Sequence, residues 1–436
     1  MVSSIKKWRI HIMLLRFKVS NYLSIRDEIT VNLIANTANE HENNNIVFGR
    51  DRILPALAFY GYNSVGKSNI FKAILTAINY VSNSNYMPIN ALIGTQPFLL
   101  DDTSRNNPTK MDFIYLHNGK KYNYGFEITQ NEVIQEYLYE YVSARPSLIF
   151  DRSRENYTFT TKNNTELEIY KNKNTPNKLF LATATNWNCQ LTKDAYLWFV
   201  EGIQFYDSHF INDNQYLMHL DANKNNQNTK LFLLNVLRNT DFNISDYIFE
   251  SKDIEDINLV LPPGISFEKA FLEQIKLNSK EFKLDAMHDV KDEYGYTKSY
   301  PIPFVFESNG TKLMFAYAPI VQQALEEGRT IVVDELDNGL NPILIKYLIR
   351  LFSDKKSNKN GAQLIFNSHN SSILDSKLLR RDQIYLVNKD EFGQTKIKNL
   401  YDYKARRTDN FRKSYFEEKY SSLPHVIDGI DWDYIK

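Results

Sequence analysis

The chain has 436 residues, long enough for more than one domain, and its 52 Lys and Arg balance 52 Asp and Glu, so no net charge draws it to nucleic acid or membrane. Cys189 is the single cysteine, which excludes an intramolecular disulfide and a cysteine metal cluster and fits a cytoplasmic protein. No apolar run approaches the roughly 18–20 residues that a membrane span requires.

In chain order, the opening "MVSSIKKWRIHIMLLRF" is basic and then apolar, but it lacks the long apolar region and small-residue cleavage site of a signal peptide. Met13 directly precedes a strand pattern, so residues 1–12 are expected to be a dispensable extension. Residues 14–20 and 29–34 read as strands, and 38–50 as a polar loop. Residues 56–60 are a short apolar run suited to a buried strand. They lead into "GYNSVGKS", in which Gly61 and Gly66 bracket a turn that Lys67 and Ser68 close. Glycines let several N–H groups converge on one anion, and a following helix turns its positive end to the same place. The expected cradle is Gly61, Asn63, Ser64, Gly66, Lys67, Ser68 and Asn69. Lys67 would reach the β- and γ-phosphates of ATP, and the Ser68 hydroxyl would ligate Mg²⁺.

Beyond a polar stretch, residues 111–128 alternate around Asn118-Gly119, a strong hairpin signal, and strands follow at 133–142 and 147–160. The spacing turns helical at 191–204, 228–239 and 267–276. Here "YLWFV" (196–200) reads as helix core rather than a base-stacking surface. Residues 297–306 look extended, and 311–400 alternate helix and strand as in an α/β sheet. No repeats or sustained heptads occur.

Three further motifs complete the expected site. The strand in "TIVVDELDNGLNP" ends on Asp334-Glu335, placing Asp334 beside the Mg²⁺ and Glu335 as general base toward water. Upstream, Ser308 and Gly310 precede a helical run. This is an ordinary helix cap when taken alone, and a second anion site when followed by Asp334-Glu335. One chain does not easily fold this site onto its own P-loop, whereas two chains packed head to tail would each close the other's ATP. Downstream, "IFNSHN" places His369 at a strand end, near the γ-phosphate. A lone histidine is usually structural, and here its order after the carboxylates gives it a role. No second His or Cys lies nearby to make it a metal ligand.

The motif order resembles ATP-binding cassette (ABC) heads. More narrowly, "FKVSNYLSIRD", "ESNGT", "DELDNGLNP", "SHNSSILD" and the tail from Arg381 resemble the abortive-infection, ATP/GTP-phosphatase AAA family of RloA-like proteins. They are also similar to the ATPase subunits of antiphage systems such as PARIS. The resemblance covers both ends of the chain and is vague over roughly 150–290. It implies an α/β fold: an ABC-type P-loop ATPase head, with a mixed sheet, flanking helices and an antiparallel β lobe, plus a mainly helical insertion. The implied domains are 1–177, an insertion over 178–295, and a C-terminal lobe over 296–436. By the same resemblance Lys67 and Ser68 are Walker A, Asp334 and Glu335 Walker B, Ser308 and Gly310 the signature acting in trans, Asp337 the D-loop and His369 the switch histidine. Two departures stand out. The turn after Asp337 reads Gly339-Leu340-Asn341-Pro342 where relatives more often have Ser-Leu-His-Pro. The glutamine between lobes has only Gln96 as a weak match, better read as a surface residue.

The resemblance implies an ATP-hydrolysing sensor of an antiphage, abortive-infection system. Its partners would be a second copy of itself, with larger assemblies open, and a separate toxic effector, nuclease-like. A phage-derived trigger fits, and nucleic acid is left open. The alternative is a DNA-clamping ATPase of repair or chromosome maintenance, disfavoured by the missing heptads. A transporter cassette is disfavoured by the about 240 residues between Lys67 and Ser308. Only 67 residues follow His369, too few for an added nuclease domain, and Asp431 with Asp433 reads as a solvated acidic end. The basic group Lys404, Arg406, Arg407, Arg412 and Lys413 is expected to be a solvated face.

Overall fold

The computed structural model describes residues 12–143, 145–160, 164–207, 215–240, 242–253, 280–406 and 408–420. The chain forms two compact units. The first comprises Met1–Ser208, Ala324–Asn338 and Ile345–Lys436, and the second His209–Gln323 with Gly339–Leu344.

Among the described residues, the first unit holds two large sheets. The six-stranded sheet runs, edge to edge, Ile203–Tyr206, Thr330–Val333, Gln363–Ser368, Ala56–Tyr60, Ile384–Lys389 and Thr395–Asn399. The first five strands are parallel and the last is antiparallel. The central strands Ala56–Tyr60 and Gln363–Ser368 are buried at every residue, as parallel strands covered on both faces must be. The second sheet is antiparallel and seven-stranded, from Asn156–Phe159 at one edge to Ile29–Asn32 at the other. Its hairpin turns at Asn118 (φ 51°) and Gly119 (φ 76°), as the sequence predicts for a turn needing two left-handed residues. One core joins both sheets to the helix Lys67–Asn83, with Phe59, Phe71, Phe113, Tyr115 and Trp198 all at most 1% exposed.

Residues 178–207, grouped with the insertion on sequence, pack in the first unit. Trp198 stacks on Tyr115 at 4.3 Å and Phe180 meets Phe150 edge-on at 5.0 Å. The fully buried Glu136 carboxylate accepts from Phe180 N (2.6 Å) and Leu181 N (2.9 Å) and faces the buried Arg152, tying this helix to the antiparallel sheet. The helix expected over 191–204 ends earlier. Gln190–Leu197 gives way to a π-helical turn and then to the edge strand Ile203–Tyr206, which pairs with Thr330–Val333.

The second unit contains the helices Gln215–Ala222 and Gln227–Asn239 and a three-stranded antiparallel sheet of Asp246–Asp253, Lys280–Lys291 and Thr297–Pro303. The mainly helical expectation therefore gives way to a mixed α/β unit among the described residues. A 12-residue strand at Lys280–Lys291 pairs on both sides, which no helical periodicity at 228–239 could foretell. Phe315 packs with Phe304 (4.7 Å) and Tyr247 (5.2 Å) in its core. The helix expected at 267–276 and the Asp431–Asp433 pair lie outside the described residues. No helix among the described residues is long and apolar enough to cross a membrane.

Candidate active site

The strand Ala56–Tyr60 ends at Gly61, and the loop passes through Gly66 into the helix Lys67–Asn83. The backbone is left-handed at Ser64 (φ 66°) and Gly66 (φ 99°), which bends the chain into a concavity lined by N–H groups. A Cβ at Gly61 would strike the Val387 carbonyl of the neighbouring strand. One at Gly66 would collide with Thr395 Oγ1 and Ser24 Oγ. Both positions need glycine for tertiary reasons, and Gly66 also for its left-handed backbone.

Lys67 is 4% exposed. Its ammonium donates to Gly61 O (2.8 Å) and Tyr62 O (2.7 Å) and lies 3.2 Å from His369 Nδ1. Burial pulls its pKa down to about 8, against the upward pull of Asp337, Asp334 and Glu335. An ammonium can only donate to Nδ1, so this contact sets His369 as a neutral ring with its proton on Nε2. Partial burial, and next the Lys67 charge, hold the His369 pKa below its ordinary value. Over the loop, Tyr415 of the helix Phe411–Phe416 packs against Tyr60 (4.8 Å) and Tyr62 (5.7 Å).

One strand lies between the P-loop strand and Thr330–Val333, and it carries His369 past its end. Three adjacent parallel strands thus deliver Lys67, His369 and Asp334-Glu335 beyond their carboxyl ends, where ligands of open α/β sheets bind. Ser68 Oγ donates to Asp334 Oδ1 at 3.1 Å. The fully buried Asn367 also donates to Asp334 Oδ1, and its own Oδ1 accepts from Glu335 N. Glu335 sits at φ 59°, a left-handed position that costs a non-glycine residue of order 1–3 kcal/mol. Asn367 is therefore the brace that holds both carboxylate residues in place. The sequence reading missed it. Its only signal was an amide two residues before His369, directly after the apolar run at 364–366.

Burial raises the Asp334 pKa, and hydrogen bonds from Asn367 and Ser68 oppose this. Asp337 Oδ2 accepts from His369 N at 2.8 Å, while its Oδ1 is buried without a partner among the described residues. Ser68 Oγ and Asp334 Oδ1 are hard oxygen donors at one spot. No cluster of three His, Cys, Asp or Glu that could hold a metal occurs among the described residues. This pair fits magnesium, which takes one or two protein oxygens and completes its shell with phosphate and water.

Of the other expected residues, Asn63 and Ser64 are exposed on the loop. Asn69 turns its amide to Ser24 Oγ at 2.7 Å. Ser308 and Gly310 fall in the second unit. Ser308 is exposed and its hydroxyl accepts from Thr311 N (3.1 Å), so it caps the helix Asn309–Glu327. Gly310 has no steric need for glycine within this unit, since an added Cβ would meet nothing nearer than Gly339 O at 3.8 Å. Gln96 is exposed, as expected of a surface residue. Lys404, Arg406, Arg412 and Lys413 are exposed, and Arg407 lies outside the described residues.

This sheet, its glycine cradle and the paired carboxylates define an ABC-type P-loop ATPase head. Residues 57–375, well over half of the chain, match the family model described as "AAA domain, putative AbiEii toxin, Type IV TA system", and the chain belongs to that family. It is similar in structure to the SMC head domain from Thermotoga maritima, with 12% identity, 88% of this chain and 98% of that chain covered, and a TM-score of 0.40. It is also similar to cbiO1 from Clostridium perfringens, part of the ABC transporter complex cbiONQ, with 13% identity, 93% and 95% covered, and a TM-score of 0.33. No curated protein matches the chain.

Proposed function

We propose that the chain hydrolyses ATP and acts as the sensor subunit of an antiphage, abortive-infection system, as an ATP-dependent homodimer controlling a separate, nuclease-like effector. The observation that carries the ATPase half is the meeting of Lys67, Ser68, Asp334, Glu335 and His369 at the ends of three neighbouring strands. Membership of a family whose description names an AbiEii toxin and a type IV TA system supports the defence half.

In this reading ATP draws the Lys67 ammonium off the Gly61 and Tyr62 carbonyls and onto its β- and γ-phosphates. Ser68 and Asp334 would hold magnesium, which neutralises charge on the phosphate oxygens. Glu335 takes a proton from the attacking water, and His369, freed from Lys67, donates from Nε2 to the charge that develops on the γ-phosphate. The partner protomer's Ser308 hydroxyl and helix N-terminus close over the same phosphate, with Asp337 at the seam. Hydrolysis opens the dimer and releases or activates the effector.

Mixing variants tests the trans arrangement. Lys67→Ala and Ser308→Arg should each be inactive alone. Mixed, they should recover about a quarter of wild-type turnover, because half of random dimers are hybrid and each hybrid keeps one intact site of two. No recovery on mixing would place Ser308 outside the partner's site. The effector is tested by purifying the ATP-trapped Glu335→Gln chain from cells carrying its native neighbouring genes. A second protein that co-purifies with the ATP-bound dimer supports the sensor reading, and a dimer carrying only DNA moves it to a DNA clamp.

Affinity for Mg·ATP should depend on pH from both sides. Lys67 titrates at about 8 in the free protein, so its charge is present below that pH and lost above it. Bound phosphate raises that pKa, so binding takes up a proton above about pH 8 and weakens as pH rises. On the acid side Asp334, raised by burial, must ionise before it can take a cation. Titration calorimetry in buffers of different ionisation heat checks the proton uptake. An affinity flat from about pH 7 to 9.5 would remove Lys67 from the phosphate site.

A further inference from the structure

The mechanism above leaves unused a directional chain of hydrogen bonds behind the P-loop. Asn69 Nδ2 donates to Ser24 Oγ at 2.7 Å, Ser24 Oγ and Thr395 Oγ1 are 2.6 Å apart, and Thr395 Oγ1 donates to Val65 O at 2.9 Å. Thr395 has one hydroxyl proton, and the Val65 carbonyl can only accept, so that proton is committed. Ser24 must then donate to Thr395, and its lone pair is what Asn69 occupies. Each hydroxyl donates once and accepts once, which leaves the chain a single orientation. A backbone bond from Thr395 N to Ser24 O (2.7 Å) holds the two together, and Thr395 is 1% exposed.

The consequence falls on the peptide between Val65 and Gly66. No peptide bond among the described residues is cis, so the C=O and N–H of this peptide point in opposite directions. Pinning the Val65 carbonyl on Thr395 therefore aims the Gly66 N–H in the direction opposite to that contact. The two hydroxyls also fill the space a Gly66 side chain would need, so the loop rests on them. Anion binding by a loop of N–H groups depends on those groups being aimed before the anion arrives.

We propose that Thr395, with Ser24 behind it, is a positioning residue for the nucleotide: its hydroxyl fixes the Val65–Gly66 peptide so that the Gly66 N–H is preset for phosphate. This rests on the reading of the loop as an ATP site. It assigns a role to a C-terminal strand 330 residues from Val65 in sequence and explains Asn69 as an anchor of the loop. Asn69, Ser24, Thr395 and the Val65 carbonyl carry no proton that titrates near neutrality, so their effect is independent of pH over that range.

The test uses the full-length chain with Thr395→Val, Thr395→Ser and Ser24→Ala, measuring ATP affinity, turnover at saturating ATP and thermal unfolding without nucleotide. Valine keeps the shape and the backbone bond of Thr395 and removes only the hydroxyl. Thr395→Val should weaken ATP binding roughly tenfold, the loss of one well-made hydrogen bond, with turnover at saturation unchanged. Thr395→Ser should restore affinity to within about twofold, and Ser24→Ala should fall between. Wild-type affinity in a folded Thr395→Val chain, or equal weakening by serine and valine, would overturn the inference. If Thr395→Val does not fold, wild-type affinity in Ser24→Ala overturns it instead. A wild-type chain that binds no ATP would bring down the nucleotide site itself, a result distinct from either.

Discussion

Glu335→Gln should slow ATP hydrolysis by a factor on the order of 10² to 10⁴, the usual contribution of a positioned general base, while ATP stays bound. Glutamine keeps the size of the side chain and cannot take a proton from water. The groups proposed to hold the triphosphate, Lys67 and Ser68, are untouched, so affinity should be retained or improved. The left-handed backbone at residue 335 and its N–H bond to Asn367 do not depend on the side chain's charge, so the local geometry should survive. Removing one carboxylate beside Asp334 also lifts a like-charge repulsion that raises the Asp334 pKa, which favours cation binding. The trapped chain should therefore run as an ATP-dependent dimer by mass measurement. A variant that hydrolyses ATP at the wild-type rate would require another base, and one that stays monomeric with ATP bound would remove the dimer from the mechanism.

Asn367→Leu should cost roughly 10–100-fold in turnover, typical for loss of a residue that orients a metal ligand. Leucine keeps the branching of asparagine at Cγ, though it is larger, and supplies neither hydrogen bond. Asp334 would then keep only its Ser68 contact among those Asn367 and Ser68 now provide, and the Glu335 N–H would lose its acceptor at a strained position. Both effects act on cation placement and the proposed base, and neither touches Lys67. The signature of this role is a split: metal-free ATP binding near wild type, with the magnesium concentration for half-maximal activity raised about tenfold or more. Equal loss of both would point to general unfolding of the strand end, which thermal unfolding would report.

Much of the site could be read from the chain because its chemistry is local. Gly61 through Ser68 is contiguous, so the turn, the lysine and the helix proposed to receive the phosphate are encoded in one stretch of sequence. Asp334-Glu335 and His369 each sit just past an apolar strand, a pattern visible without knowing which strands pair. The Asn118-Gly119 hairpin was equally plain, since two left-handed residues between alternating runs permit few alternatives.

What the sequence did not reveal depends on neighbours far along the chain. Strand order, with the His369 strand between those of Lys67 and Asp334, arises from hydrogen bonds between segments about 30 to 300 residues apart, which no local periodicity records. Asn367 and Thr395 are ordinary polar residues until that order sets one against Asp334-Glu335 and the other under the P-loop. Of the second unit's sheet only the extended run at 297–306 was read; Asp246–Asp253 and Lys280–Lys291 were missed because strand propensity is settled by cross-strand partners rather than by the strand itself. The sequence alone singled out the groups proposed to meet phosphate and water in this protein, because those groups lie in short contiguous motifs. Only the tertiary structure decided what holds them in register, because a buried polar side chain acquires its meaning from the partner that satisfies it.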